Sequence, residues 1–576
     1  MAAKEAFVGP AIVLTSRSVS AAGEAAARSG CALAEIPPAL KPSTHRPVTP
    51  GRVNCFRRIG VLTDMRVTGL GHAGLFIESA AGSVLCDPWV NPAFFGSWFP
   101  FPDNSDLDWA YYGHAADYLY ISHLHRDHFD AKNLSENVRK DVTVLLPAFA
   151  TEELERELCE LGFTDFLRTR SGSPVERDGL RIMITALTGP GDGPIGDSAL
   201  SLDDGETVLL NQNDAHPLDI PAIREFGEVD AYFVQFSGAI WYPMVYQMPQ
   251  KAKREFAARK RQGQFERAVR YIDAVQAKHV FPNSGPPCFL DDDLFDFNGT
   301  GLDGESIFTD QREFLEQLAE ARPETSAHLM LPGSVAEVSG SDCKVIHSRT
   351  AGQIDHIFGN KREYLRDYAR RQQPSLAAER ASRAPALPRE RLVAALKQWW
   401  EPLLARADRI CAGVGGPLRL DVDDIPIVID FPARQVRPWD GEACRYTLST
   451  TGDLVATNIT RREVDWSNSL LLSLRFRASR IGPYNEFVYT FFKCLSAERI
   501  DYVENYYAAA QEEDEDIELD GWLVQRRCPH QQADLSRFGR IENDVLTCTM
   551  HGWRYHLPLG RCLTADNHDI RATRAT

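Results

Sequence analysis

Four residues near the end of the chain have the types and spacing that suit an iron–sulfur cluster. Cys528 and His530 form one pair, and Cys548 and His551 form a second pair after a spacer at 531–547. Two thiolates can hold one iron while two imidazoles hold the other, which gives a [2Fe–2S] cluster with chemically different irons. Zinc also binds two cysteines and two histidines, but zinc fingers usually pair Cys with Cys and His with His. The mixed pairs therefore favour the cluster, with zinc as the alternative.

The segment around these residues resembles the Rieske ferredoxin-type domain. The second pair is followed by the run Gly552-Trp553-Arg554-Tyr555, and then by Gly560 and Cys562. The resemblance implies an all-β domain over residues 511–576 in which Cys528, His530, Cys548 and His551 bind the cluster. Its acidic beginning, 511–518, is interpreted as a solvated connector, with a docking patch for an electron donor as the alternative.

A second set of ligand-type side chains lies in the first half of the chain. His123, His125, Asp127 and His128 directly follow the apolar, β-prone run 118–122. A strand that ends in such a loop brings three imidazoles and a carboxylate close together. Nitrogen and oxygen donors of this kind bind zinc, iron or manganese. The pattern predicts a site for two adjacent divalent metals rather than an ordinary surface loop.

This segment resembles the metallo-β-lactamase fold in its lactonase-like branch, because the turn Gly71-His72-Ala73-Gly74 and Asp87 at a predicted strand end accompany the histidine motif. The resemblance implies a four-layer αββα sandwich over residues 65–345. It implies that His123 and His125 bind one metal, that Asp127 and His128 bind the other, and that a later aspartate bridges both. Asp214 follows a predicted hairpin at 203–210 and matches the bridging position; the alternative is an ordinary loop aspartate.

Two ligand positions of that family have no matching histidine. None occurs between His128 and His216, so Asp192, Asp197 or His216 is the candidate replacement. At the family's last position, the run 278–286 offers His279, which is too early on its strand, and Asn283, which is a poor ligand. A centre with fewer protein ligands leaves positions for O₂ or substrate, as non-heme iron oxygenases require.

Three further segments are candidates for the wall of a pocket. The aromatic runs 235–243 and 285–289 each contain a small-residue turn and are interpreted as pocket wall or as core. Residues 251–277 have helical spacing and many basic side chains. A solvated helix face is the favoured interpretation, and a basic wall for an anionic substrate is the alternative.

The remaining segments predict structure without chemistry. Residues 1–64 are predicted to be a disordered extension, with a misplaced start codon or a targeting peptide as alternatives. Residues 346–390 are predicted to be a linker or surface helices. Residues 391–510 predict a small α+β domain that resembles sterol-carrier-type domains and serves as scaffold or tunnel lining. Within it we expect a helix from Leu392, a strand at 453–457 and a further helix near 485–497. The predicted fold class is thus multidomain, combining α/β, α+β and all-β parts.

Composition narrows the functional classes. The chain has 576 residues, of which 44% are hydrophobic and 25% charged, as in ordinary globular proteins. Its net charge of −17 argues against binding to nucleic acid or to anionic membrane surfaces. No apolar run approaches the roughly 20 residues of a membrane span. Twelve cysteines are too few for a disulfide scaffold, and cluster loading needs reduced thiols, so we predict a cytoplasmic protein.

The two metal sites together predict a redox reaction. Zinc has no accessible redox chemistry, so an electron carrier would have nothing to reduce in a dizinc hydrolase. The pairing of the two modules resembles the CMP-N-acetylneuraminate hydroxylase family, which the runs Ser237-Gly238 and Gly285-Pro286-Pro287 also resemble. That resemblance implies hydroxylation of an N-acyl methyl group with electrons from an external reductase. In the vertebrate enzymes the Rieske module comes first, whereas here it comes last, so a natural-product intermediate is an equal candidate substrate.

The predicted function is an iron-dependent monooxygenase that uses O₂, a small-molecule substrate and an external donor of the ferredoxin or flavin-reductase type. Asp127 is a candidate acid or base if one metal binds, and His72 is a candidate pocket residue, with a structural turn residue as the alternative. Other classes stay open: a lactonase or phosphodiesterase with an accessory Rieske domain, a reductase of O₂ or NO, and a redox sensor.

Overall fold

A computed structural model describes residues 64–300, 306–340, 342–512, 515–550 and 552–575. The predicted N-terminal extension therefore lies, apart from Asp64, outside the described residues. His551, one of the four predicted cluster ligands, also lies outside them.

The segment 65–381 alternates short strands with helices. Its strands are β1 (Met65–Gly71), β2 (Gly74–Ser79), β3 (Gly82–Cys86), β4 (Phe99–Pro100), β5 (Tyr118–Tyr120), β6 (Thr143–Leu146), β7 (Phe166–Arg168), β8 (Val175–Arg177), β9 (Leu180–Leu187), β10 (Asp197–Asp203), β11 (Val208–Asn211), β12 (Ala231–Gln235), β13 (His279–Asn283), β14 (Pro287–Cys288), β15 (Ser326–Ala327), β16 (Val335–Val338) and β17 (Cys343–Ile346). Its helices are α1 (Trp109–Ala115), α2 (Ala131–Asn137), α3 (Glu153–Glu160), α4 (Ile220–Phe226), α5 (Gln250–Val275), α6 (Gln311–Ala321), α7 (Ala351–Gly359) and α8 (Lys361–Ala381), with a 3₁₀ turn at Phe295–Asn298.

Most of these strands form two stacked sheets, while β4 and β14 pair with each other separately. In the described ranges one sheet has the order β17-β16-β1-β2-β3-β5-β6-β7 and the other has the order β15-β13-β12-β11-β10-β9-β8. In each sheet an antiparallel part continues into a parallel part: β3, β5, β6 and β7 run parallel, and so do β11, β12, β13 and β15. The parallel strand β12 is buried along its whole length, as expected for a strand covered on both faces.

Helices cover the outer face of each sheet, so the predicted αββα sandwich is confirmed. Val67, Ile182 and Phe233 pack in the core between the sheets. The outer face of the first sheet packs against α2 and α3 through Leu134 and Leu158. The outer face of the second sheet packs against α4, α5 and α6, and its hydrophobic cluster continues into the core of the C-terminal domain.

Residues 346–390, predicted to be a linker or surface helices, are packed against the sandwich. Leu365, Tyr368 and Leu376 of α8 are buried in one cluster with Phe99 and Phe101. The linker alternative was wrong because one apolar stripe along a charged helix is enough to bury that helix.

The middle part of the chain is a five-stranded sheet, in the order β20-β19-β18-β21-β22, covered by helices. Its elements are α9 (Arg389–Leu404), α10 (Asp408–Val414), β18 (Pro417–Val422), β19 (Ile425–Asp430), β20 (Gln435–Pro438), β21 (Tyr446–Thr450), α11 (Gly452–Arg461), a π-helical turn (Ser467–Leu471), β22 (Phe476–Arg480), α12 (Glu486–Lys493) and α13 (Ala497–Glu512). The strand predicted at 453–457 was wrong, since these residues lie in α11. The core, which includes Trp400 and Trp466, continues to Trp98 and Trp241 of the sandwich.

The C-terminal part consists mainly of two small sheets, ordered β23-β24-β29 and β25-β26-β27-β28. Its elements are β23 (Asp516–Leu519), β24 (Trp522–Gln525), α14 (Leu535–Phe538), β25 (Gly539–Glu542), β26 (Val545–Cys548), β27 (Trp553–His556), a 3₁₀ turn (Leu557–Leu559), β28 (Arg561–Cys562) and β29 (Ala572–Arg574). Across the described ranges, no helix has the length and apolarity needed to cross a membrane.

Candidate metal centres

The predicted metal-binding loop begins where β5 ends. Because β3 and β5 are neighbouring parallel strands, Asp87 and Ser122, which follow them, meet at the same sheet edge. The Ser122 backbone N–H donates to Asp87 Oδ1 at 2.8 Å, and the Ser122 hydroxyl donates to Asp87 Oδ2 at 2.6 Å. His128 Nδ1 lies 2.8 Å from the same Oδ2. An Nδ1–H that donates to Asp87 leaves the lone pair of His128 on Nε2, the nitrogen that can bind a metal.

The first group of ligand atoms comes from the loop and from Asp214. His123 Nε2 lies 2.9 Å from His125 Nδ1, and His128 Nε2 lies 3.6 Å from Asp214 Oδ2. Single ligand atoms of His123, His128 and Asp214 all lie within 4.8 Å of one another. Burial, and then the neighbouring His123, lower the pKa of His125 to about 3. The His125 imidazole is therefore neutral, as metal binding requires.

The second group joins Asp127 and His128 to the turn between β1 and β2. His72 Nε2 lies 3.0 Å from Asp127 Oδ2, and His128 Nε2 lies 4.0 Å from the same oxygen. Burial opposes ionisation of Asp127, but its interactions with His128 and then with His72 hold its pKa below the usual value. His128 belongs to both groups, so the two groups adjoin. His72, weighed in sequence as a pocket residue, lies among the ligand candidates.

Asp197 is the candidate replacement nearest to the first group. Its Oδ1 lies 3.2 Å from Nδ1 of His123, the ring nitrogen on the side opposite His125. Burial raises the pKa of Asp197. Asp192 instead accepts a hydrogen bond from Gln531 Nε2 at 3.3 Å. His216 Nε2 lies 3.0 Å from Gln235 Oε1, so its side chain is directed along the cavity wall.

The run 278–286 adds no residue to either group of ligand atoms. His279 lies with His328 and Cys343 at the opposite end of β13, where His279 Nδ1 is 3.1 Å from His328 Nε2. Asn283 donates to Asn211 Oδ1 at 3.2 Å. Both groups are thus built from the first sheet's loops and from Asp214.

The chemistry of these donors fits a bound metal. Among the described residues, His128 Nε2 and Asp127 Oδ1 are buried without a hydrogen-bond partner. A buried polar atom without a partner costs about 1–3 kcal/mol. A cation between the two groups would satisfy both atoms, and the mixture of imidazole and carboxylate suits zinc, iron or manganese.

The C-terminal domain brings three of the four predicted cluster ligands into one buried pocket. Cys528 and Cys548 are both buried, and interaction with Cys548, followed by burial, raises the pKa of the Cys528 thiol. Tyr555 Oη lies 3.2 Å from Cys528 Sγ. The His530 ring stacks on Trp553, with centroids 4.0 Å apart and planes 12° apart. Two buried soft sulfurs beside an imidazole fit a [2Fe–2S] cluster of mixed ligation.

Glu486, from α12 of the middle domain, reaches this pocket. Its Oε1 lies 3.8 Å from His530 Nε2, and its Oε2 lies 3.3 Å from His568 Nε2. Burial raises the pKa of Glu486 to about 8. The sequence carries no motif that connects Glu486 with His530, and the contact depends on how two domains pack.

A cavity of about 240 Å³ adjoins the first group of ligands. Its wall includes His125, Asp197 and Asp214 on one side and Gln531 of the C-terminal domain on another. The predicted pocket wall 235–243 is divided: its first residues line the cavity, whereas Trp241 packs in the core with the middle domain. Phe289 of the other predicted wall lies in that core too. A larger groove of about 1340 Å³ along α6 and α8 contains none of the predicted ligands.

Three family models match successive parts of the chain. A "Beta-lactamase superfamily domain" matches residues 66–167, an "Rv3818-like, SCP2-like domain" matches residues 392–509, and a "Rieske [2Fe-2S] domain" matches residues 501–572. The chain thus joins a metallo-β-lactamase domain to a C-terminal Rieske domain. The expected order of these two modules is confirmed.

Full-length relatives share this organisation. A protein of Mycobacterium tuberculosis (strain ATCC 25618 / H37Rv), provisionally named a Rieske 2Fe–2S iron–sulfur protein, is 49% identical over 518 residues, which are 88% of this chain and 100% of the relative. A protein of Mycolicibacterium smegmatis with the same provisional name is 47% identical over 521 residues, with the same coverage.

Solved structures resemble part of the chain. Igni18, a metallo hydrolase from Ignicoccus hospitalis, shares 18% identity over 50% of this chain and 100% of its own, with a TM-score of 0.32. CmlA, a diiron β-hydroxylase from Streptomyces venezuelae, shares 18% identity over 49% of this chain and 54% of its own, with a TM-score of 0.31.

Proposed function

Because this chain belongs to the family of the mycobacterial Rieske 2Fe–2S iron–sulfur proteins, we propose that it is an iron-dependent monooxygenase. The reaction would consume one O₂, two electrons and two protons, and would yield a hydroxylated substrate and one water. The electrons would come from an external donor of the ferredoxin or flavin-reductase type. Hydroxylation of an N-acyl sugar nucleotide, by resemblance to the CMP-N-acetylneuraminate hydroxylases, and hydroxylation of a natural-product intermediate are the candidate reactions.

Two sets of side chains would hold the metals. Cys528, His530, Cys548 and His551 would hold the cluster, while His123, His125, Asp127, His128 and Asp214 would hold iron, with His72 beside Asp127. The cluster supplies electrons one at a time, and iron supplies the activation of O₂. Zinc in the second site would instead favour a hydrolase of the lactonase or phosphodiesterase type, with the Rieske domain in an accessory role.

The observation that carries this proposal is the position of Gln531. This residue follows the predicted cluster ligand His530 and lines the same cavity as His125, Asp197 and Asp214. Its Nε2 donates to Asp192 Oδ1 at 3.3 Å, which joins the cluster loop to the loop before β10. Hydrolysis does not require the cluster loop to lie beside the metal-binding loop, whereas electron transfer within the chain does.

Side chains of this protein can hold and transfer protons beside the metal-binding loop. The contact of 3.0 Å between His72 and Asp127 pairs an imidazole with a carboxylate. Burial opposes ionisation of that carboxylate, but its interactions with His128 and His72 lower its pKa. Such a pair can hold a proton next to the reacting group and release it. The cavity excludes bulk water from one side, since Ser237 and Gln264 of its wall are almost fully buried.

The proposal is tested by metal content and by single-turnover reoxidation. Protein purified without oxygen should contain about three or four irons per chain and little zinc. The cluster is then reduced with stoichiometric dithionite and mixed with O₂, and its reoxidation is followed by absorbance. We expect His125→Ala to slow reoxidation about tenfold or more while its cluster spectrum stays unchanged. Cys528→Ser should abolish the cluster spectrum.

Opposite results would refute the oxygenase. Zinc in the second centre, combined with equal reoxidation rates in the wild type and in His125→Ala, would show that the cluster does not serve that centre. Full hydrolysis of a lactone or a phosphodiester by the Cys528→Ser variant would establish the hydrolase instead.

A further inference from the structure

Three polar side chains of α5 lie on one face of that helix and line the cavity. Lys260, Gln264 and Arg267 are spaced i, i+4 and i+7, a spacing that places side chains on one helical face. All three line the same cavity as Asp214 and His125. The sequence favoured a solvated face for this helix, but this stripe faces the candidate active site.

The two cations of this stripe have no direct ion-pair partner among the described residues, although the charge of Asp214 acts on Arg267 across the cavity. In the part of the chain that the structure describes, neither Lys260 nor Arg267 makes a hydrogen bond or an ion pair. By contrast, Arg259, on the exposed side of the helix, stacks over Phe256 with its guanidinium carbon 4.9 Å from the ring centroid. Burial, followed by the charge of Arg267, lowers the pKa of Lys260 to about 8. Two like charges held together in a half-buried site are unfavourable unless an anion joins them.

Neighbouring polar atoms of the wall also lack partners. Ser237 is 1% exposed and Gln264 is 4% exposed, and both Ser237 Oγ and Gln264 Oε1 have no hydrogen-bond partner among the described residues. Gly238 lies between them in the wall, and a Cβ at this position would collide with Gln264 Nε2. Buried polar atoms without partners are costly, and several of them in one cavity indicate a ligand with complementary groups.

We propose that Lys260 and Arg267, together with Ser237 and Gln264, form a subsite for an anionic group of the substrate, a carboxylate or a phosphate. The guanidinium can bind such a group through two parallel hydrogen bonds, and the Ser237 hydroxyl can donate a third. Gln264 Oε1 is an acceptor, so the substrate carries a hydroxyl or an N–H beside its anion.

This inference rests on the proposed function in one respect, since it takes the cavity to be the substrate site. Its test is calorimetric titration of the metal-loaded full chain with inorganic phosphate, and separately with acetate, at constant ionic strength. We compare the wild type with Lys260→Met, Arg267→Met and the double variant. Arg259→Met, on the exposed face of the same helix, is the matched control.

We expect each single variant to weaken binding of the preferred anion about tenfold, and the control to leave it unchanged. The anion that the wild type binds more tightly, phosphate or acetate, indicates whether the substrate's anionic group is a phosphate or a carboxylate. Equal phosphate affinity in the wild type and the double variant would show that the metal centre alone binds it, which would overturn the subsite. Absence of binding of both anions by the wild type would overturn it too.

Metal content and cluster reoxidation, measured on the same preparations, separate this inference from the oxygenase proposal. If phosphate or acetate binding depends on Lys260 and Arg267 while the second centre holds zinc, the subsite stands and the oxygenase fails. If iron content and reoxidation agree with the oxygenase while no variant changes anion binding, the subsite alone fails.

Discussion

Replacing Asp87 with asparagine should weaken metal binding while leaving every predicted ligand in place. Asp87 is fully buried, and its two oxygens serve the Ser122 backbone N–H, the Ser122 hydroxyl and His128 Nδ1. Asp87 has a φ of 38°, a left-handed conformation that asparagine also tolerates. The substitution therefore changes hydrogen bonding and charge with little backbone strain.

Asparagine cannot satisfy all three of these contacts. If its amide oxygen accepts from the Ser122 backbone N–H, its NH₂ faces His128 Nδ1 and forces the proton onto Nε2, the nitrogen needed by the metal. If the amide is reversed, the NH₂ faces the Ser122 N–H, and two donors meet. Either arrangement loses one hydrogen bond to a charged group, worth about 1.5–3 kcal/mol. A loss of this size corresponds to a roughly tenfold to hundredfold fall in metal affinity. That range is typical when the hydrogen-bond partner of a metal-binding histidine is removed.

The assay is titration of the metal-free second centre with Co²⁺, followed by its absorption, on protein whose cluster content has been measured. Asp130→Asn is the matched control. Asp130 is also a buried carboxylate that accepts several N–H groups, including the backbone N–H of Asn91 at 2.8 Å and of Asn133 at 3.0 Å. Within the described ranges it makes no hydrogen bond or ion pair with a histidine. We expect the control to retain the wild-type Co²⁺ affinity. Equal affinity in Asp87→Asn would refute the view that Asp87 sets the tautomer of His128.

Three further predictions concern stability, potential and pH. Arg499→Met should lower the free energy of unfolding by about 3–5 kcal/mol in urea denaturation, because it leaves the buried carboxylates of Glu153 and Asp465 without their cation. Removal of the exposed Arg156, which pairs with Glu498, should lower it by at most about 1 kcal/mol. Tyr555→Phe should lower the cluster's reduction potential in spectroelectrochemical titration, since it removes the hydroxyl 3.2 Å from Cys528 Sγ; an unchanged potential would contradict this. Anion binding in the cavity should weaken as the pH rises through about 8, because Lys260 then loses its proton, and Lys260→Arg should remove that decline in calorimetry.

The grouping of candidate ligands in the loop after β5 could be predicted because these residues are close together in sequence. A strand that runs into H-x-H-x-D-H fixes four side chains within six positions, and the long-range position of Asp214 followed from the order of elements in a family resemblance. The sequence left Asp192, Asp197 and His216 open as the replacement ligand, and the contact of Asp197 with His123 depends on how the two sheets pack. The position of Glu486 beside His530 had no local signal.

The errors in secondary structure have similar causes. The segment 453–457 contains β-prone residues, but a window of five residues cannot separate strand from helix by periodicity. Its Leu454 and Val455 are buried as part of α11. In α8 the many charged residues obscure a narrow apolar stripe, so composition left a linker open beside surface helices, although Leu365 and Tyr368 are buried.

Helix α12 of the middle domain contacts one candidate site at each of its ends. Its first residue, Glu486, contacts the cluster ligand candidate His530, and its last residue, Lys493, donates to the carbonyls of Pro190, Gly191 and Gly193 at 3.3, 3.3 and 2.8 Å. Gly191 and Gly193 line the cavity beside the metal-binding loop. Eight residues of α-helix span about 12 Å, and a helix is far stiffer than a loop of equal length. A rigid element with one end at each site fixes their separation, and electron transfer is more sensitive to that separation than hydrolysis would be.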